Sequence, residues 1–202
     1  MYKRQGCLAV RIIVLAPDSF DDSVFLKASQ DYVAETVAHE VGHTLGLRHN
    51  FAGSLYSNLD VSDTEQALLD YAKNKKAPEG IVTTSSVMEY QLFTESIISG
   101  DQLVTKKKAF DYDISVIAAL YDGKKFKKSD LPPFCTDTHK GRYLDCKVFD
   151  SGSSVYKSAV RQEKYYKRII PDLLMESYVK AKGKVAEGKF ESLKEGSFEP
   201  IS

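Results

Sequence analysis

Between Ser29 and Leu45 the apolar residues Val33, Val37, Val41 and Leu45 recur every four positions, the spacing of one face of an α-helix. The pattern predicts a helix that begins near Ser29 or Asp31, either of which can cap exposed N–H groups, and that buries the valine stripe. Gly46 ends it, most simply in a left-handed conformation that a residue with a Cβ adopts only at a cost. Upstream, Leu8 to Leu15 reads as a strand and Pro17 to Ser23 as a polar loop. Downstream, Ser62-Asp-Thr-Glu65 has the form of a capping box and predicts a short helix through Lys73. Ala77 to Gly80 is a turn, and Ile81 to Thr84 a brief extended segment. A further helix, Asp111 to Tyr121, carries Ile114, Ile117, Ala118 and Tyr121 at helical spacing and stops at Gly123.

Residues 124–202 read as a second segment. It holds a basic loop, Pro132-Pro133, a polar stretch bounded by Cys135 and Cys146, and a helical pattern from Ser154 to Lys182 that Pro171 divides or kinks. The predicted organisation is therefore 1–123 and 124–202. Composition changes this picture little: 43% apolar residues suffice for a packed core. The balance of 28 basic against 28 acidic residues gives no general attraction to nucleic acid. No run approaches the roughly 20 apolar residues of a membrane span.

The chemistry is concentrated in residues 39–49, His-Glu-Val-Gly-His-Thr-Leu-Gly-Leu-Arg-His, which contain three of the four histidines. A shuffled chain of this composition would show such a segment on the order of once in 10⁵ tries, so chance is a poor explanation, and the hydrogen-bonded core role more usual for a lone helix histidine is the poorer reading for three at this spacing. His39 and His43, one helical turn apart, can point ring nitrogens at one ion, and His49 on the following turn completes a set of three. Three protein ligands leave a coordination position for water, the catalytic rather than the structural kind of zinc site. Glu40 is the natural general base and is not expected to bind zinc.

With these residues the chain resembles the metzincin zinc peptidases, whose hallmark is the long histidine motif plus a methionine-containing turn. Met88 in Ser-Ser-Val-Met-Glu-Tyr fits that turn. The resemblance implies that Met88 forms an apolar floor under the imidazoles. It also implies that Tyr90 either binds zinc in the resting site or donates to the oxyanion, and that the Asp111 to Tyr121 helix packs beneath the turn with Asp113 structural. The segment through Asn50 and Phe51 is similar to large bacterial exported zinc-dependent metalloproteases, whereas Asn50 departs from the residue found there in astacins, serralysins, matrixins and adamalysins. The implied fold is α+β: a metzincin-like catalytic domain with a truncated N-terminal sheet subdomain, followed by a mainly helical C-terminal subdomain.

The implied activity is that of a zinc-dependent endopeptidase acting on extended polypeptide, in an extracytoplasmic location. Only 38 residues precede His39, fewer than a full upper subdomain needs, so the chain is expected to be part of a longer precursor that supplies the remaining N-terminal portion. The same shortness motivates an alternative, a zinc-stabilised but catalytically incomplete module of a larger protein. Cys135 and Cys146 are placed either to pair as a disulfide in an oxidising compartment or to remain two reduced thiols. Asp137, Asp145 and Asp150 are candidate calcium ligands, but their irregular spacing lacks the EF-hand pattern and solvated loop acids are the simpler reading.

Overall fold

A computed structural model of the chain describes residues 21–186. Five α-helices follow one another: α1 (Asp22–Thr44), α2 (Thr64–Asn74), α3 (Phe93–Lys106), α4 (Asp111–Tyr121) and α5 (Val155–Ala186), with short 3₁₀ turns at Gly53–Tyr56 and Lys128–Asp130. Two compact units result, one ending at Arg161 and the other beginning at Gln162. The α+β expectation is corrected: among the described residues there is no sheet, and a lone bridge pairs Lys140 with Tyr143. The strand expected over Leu8 to Leu15 lies outside the described residues. Ile81 to Thr84, expected to be extended, pairs with no strand. Its register is set instead by Asn58, whose backbone N–H donates to Val82 O at 3.0 Å and whose Oδ1 accepts from Val82 N at 2.7 Å.

Helix α1 begins two turns earlier than the valine pattern suggests. Asp21 caps it, its Oδ1 accepting from the N–H groups of Ser23 and Val24, both at 3.0 Å. The buried face is also different. Val24, Ala28, Asp31, Glu35, His39 and Gly42 point inward, while Val33, Val37, Val41 and Leu45 are 40% exposed or more. Both stripes have helical period, so spacing alone does not choose between them. Of the inward polar groups, Asp31 and His39 have specific partners that the valines cannot replace.

Asp31 accepts from Lys27 Nζ and from the Tyr71 hydroxyl of α2, and Lys27 also reaches Asp101 of α3 at 2.8 Å. Asp101 accepts in turn from Ala77 N at 2.8 Å. At Gly100 the backbones of α1 and α3 approach so closely that a Cβ would overlap the carbonyl of Asp31. Around this contact Ala28, Leu59, Leu68, Tyr71, Ile97 and Ile98 form an apolar cluster.

Helix α3 has no counterpart in the sequence pattern. Phe93, Ile97 and Ile98 face the apolar cluster, but most of the helix's buried residues are polar, among them Thr94, Glu95, Ser96, Ser99, Asp101 and Gln102. The capping box at Ser62 does not form either. Ser62 Oγ donates to Asp60 and Asp63, and Asp63 stands before α2 without capping it. The start of α5 is fastened to α3 by Arg161, which pairs with Glu95, while Ser151 Oγ donates to Glu95 at 2.6 Å. In the second unit α5 runs through Pro171 as one helix rather than two, the proline deleting one backbone bond of a long ladder.

Candidate metal centre

The last turns of α1 present His39 and His43, and the chain then reverses at Gly46, whose φ of 87° is the left-handed value that glycine adopts without strain. The reversal is closed by Leu47 N–H donating to Gly42 O at 3.0 Å. It brings His49 back toward α1. Candidate ligand atoms of His39, His43 and His49 all lie within 4.8 Å of one another, and among the described residues this is the group of histidine, cysteine and carboxylate side chains that converges in that way. Asp137, Asp145 and Asp150 form no such group.

The orientation of each ring follows from its Nδ1. His39 Nδ1–H donates to Val87 O at 2.8 Å, His43 Nδ1–H to Leu47 O at 3.0 Å, and His49 Nδ1–H to Asp137 Oδ2 at 3.0 Å. Carbonyl and carboxylate oxygens only accept, so every Nδ1 carries the proton and each neutral ring keeps its lone pair on Nε2. The Nε2 atoms of His43 and His49 face each other at 3.1 Å. Two lone pairs at that separation repel unless a cation or a proton donor lies against them; the Tyr90 hydroxyl stands against His49 Nε2 here, and the convergent donor set fits a zinc ion held by three imidazoles. Burial holds His39 below its ordinary value, against the hydrogen bond to Val87, which keeps it in the form that ligates.

Residues 85–90 form the floor. Met88 is fully buried and packs with Leu47 and Val87. A Cβ on Gly42 would collide with its sulfur, so the glycine inside the histidine motif is what lets the methionine pass beneath α1. The turn is pinned from three sides. Asn50 N–H donates to Met88 O at 3.0 Å, Tyr112 N–H of α4 to Ser85 O at 3.0 Å, and Asp113 accepts from Ser86 Oγ at 2.6 Å and Val87 N at 2.8 Å. Burial pushes the Asp113 carboxyl up to about 6 despite these bonds. Glu89 is buried too, accepting from Ser54 N and Tyr90 N at 3.0 and 3.1 Å. Burial and the nearby Asp150 carboxylate raise it well above the usual range.

Tyr90 reaches the histidines from the far end of the turn. Its hydroxyl donates to His49 Nε2 at 2.9 Å, and its ring stacks on His39 and on Phe149. Partial burial, then the carboxylates of Asp137 and Glu40, raise its pKa, so the phenol keeps its proton. Glu40 is exposed at the open edge of α1, next to His39. Cys135 and Cys146 are joined by a disulfide, with Cα atoms 5.9 Å apart, in a cluster with Phe51 and Ala52.

Sequence reading did not foresee the buried Glu35, the spacing role of Gly42 or the contact of Asp137 with His49. Gly42 alone left a signal, a glycine inside a helix where it has no turn to serve. Residues 21–189 match the family described as Met-zincin, and the chain belongs to that family, the metzincin-type zinc metallopeptidases. No curated protein and no solved structure matches it.

Proposed function

Taking membership of the Met-zincin family as the premise, we propose that the chain is a zinc-dependent endopeptidase in which His39, His43 and His49 hold the ion through Nε2. The observation that carries this reading is that all three Nδ1 protons are engaged elsewhere while the three rings converge. Zinc bound there would supply a Lewis acid for the scissile carbonyl and lower the pKa of a bound water.

Glu40, adjacent to His39 and open to solvent, takes a proton on its carboxylate as general base and returns it to the departing amine. Tyr90, whose hydroxyl lies 2.9 Å from His49 Nε2, is released from that contact once the nitrogen ligates the ion and would donate instead to the oxygen on which negative charge develops. The pinned turn fixes the His39 ring through Val87 O, and Met88 packs beneath α1 at Gly42. A substrate in extended conformation, as the resemblance to peptidases implies, is the polypeptide class proposed. The Cys135–Cys146 bond supports an oxidising, extracytoplasmic location. No helix among the described residues is long and apolar enough to cross a membrane.

Glu40→Gln tests the assignment. The variant should bind zinc as the wild type does and cleave an unfolded protein at least about 10²-fold more slowly. Retained turnover would remove Glu40 from the role of base. A chelator should abolish cleavage by the wild type, and added zinc should restore it.

A further inference from the structure

The three imidazoles differ in what holds their Nδ1–H groups. His39 and His43 donate to main-chain carbonyls, whereas His49 donates to the side chain of Asp137, which lies 88 residues further along the chain. We infer that Asp137 is a positioning residue for the metal site: its carboxylate fixes the ring of His49 with Nε2 toward His43 and adds negative charge to an otherwise neutral set of ligands. This rests on the zinc reading given above. A carboxylate behind a ligating imidazole fixes its tautomer and makes its other nitrogen a better donor.

The Asp137 side chain is 55% exposed, so its own packing does not hold it. The backbone that carries it is held instead. Asn50, fully buried and next to His49 in sequence, accepts from Cys135 N with Oδ1 at 3.1 Å and donates to Pro133 O with Nδ2, also at 3.1 Å. Phe51 N–H donates to Cys135 O at 2.8 Å. Thr136, buried between them, donates from Oγ1 to Asp137 Oδ2 at 3.4 Å, and its carbonyl accepts from His139 N at 2.8 Å. The disulfide closes the loop behind these contacts. Asn50 therefore grips both sides of the pair, the histidine through the chain and the aspartate through the loop. The third ligand is assembled from two distant parts of the sequence.

The experiment is competition for zinc between a chromophoric chelator and the apo chain, for the wild type, Asp137→Ala, Asp137→Asn and Asp145→Ala. Asp145 is an exposed acid in the same loop and serves as the control. Asp137→Ala should bind zinc about 10- to 100-fold more weakly. Asp137→Asn, which keeps an acceptor oxygen but loses the charge, should fall between, and Asp145→Ala should match the wild type. The visible absorption of the cobalt-substituted Asp137→Ala protein should also change, a signal that a purely structural role would not move. Unfolding midpoints of the apo variants within error of the wild type establish that the loop is still folded. Equal affinity and an equal cobalt spectrum in the wild type and Asp137→Ala overturn this inference alone. A wild-type chain that binds no zinc overturns the three-histidine site itself, and the two failures are separated by that first measurement.

Discussion

Burial of Glu35 in α1 makes a quantitative claim about pH. The residue is 6% exposed, one turn before His39. Burial raises its carboxyl from 4.5 to about 7, with the Gln91 side chain pulling the other way. A raised carboxyl means that the folded state binds this proton more tightly than the unfolded chain does. The stability it contributes is therefore fully present below 4.5 and is lost as the pH rises through about 7. At 1.36 kcal/mol per unit the whole effect is about 3.4 kcal/mol, of which about 2.5 kcal/mol falls between about pH 5 and about pH 8. Glu35→Gln keeps the shape and removes the titration. Urea unfolding of both chains at these two pH values, with a chelator present, should show the wild type losing about 2.5 kcal/mol more than the variant as the pH rises. The buried Asp113, Glu89 and Asp150 are common to both chains and cancel in the difference. Parallel curves would refute the burial of Glu35, and with it the orientation of α1 that turns the valines outward.

Two further perturbations test the packing. Gly100→Ala sets a gain of about 1 kcal/mol in helix propensity against overlap with the backbone of Asp31, which cannot rotate away, so a net loss of about 2 kcal/mol or more is expected. A midpoint of chemical unfolding that rises would show that α1 and α3 do not touch there. Cys135→Ser opens a cross-link between residues 11 apart and should cost about 2.8 kcal/mol by chain entropy. Wild-type protein whose midpoint ignores a reductant would argue that the bond contributes nothing.

The metal-site residues were legible because ligation imposes a local spacing. Two histidines four apart on a helix, a glycine free to take positive φ, and a third histidine on the return strand of the turn are constraints within eleven residues, and no distant part of the chain is needed to state them. Gly46 at φ 87° and the helix Asp111–Tyr121 are local in the same sense. The face of α1 that goes inside is not local. Val33, Val37 and Val41 and the row Asp31, Glu35, His39 share the same periodicity, and the choice belongs to Tyr71, Lys27 and Val87, which satisfy the polar row. The inward side of α3 is not local either: its buried serines, threonines and carboxylates are acceptable inside only because other elements supply their partners.

The sequence by itself determined the chemistry of the centre, three imidazoles with a carboxylate beside them, since short-range geometry dictates which residue types can serve. Only the tertiary structure decided what stands behind each imidazole, which side of α1 is solvent, and that Asp137 and Asn50 belong to the site. Those are contacts between segments up to 88 residues apart. Spacing along a chain carries no record of such contacts, because the free energy that selects them is a sum over partners brought together by folding.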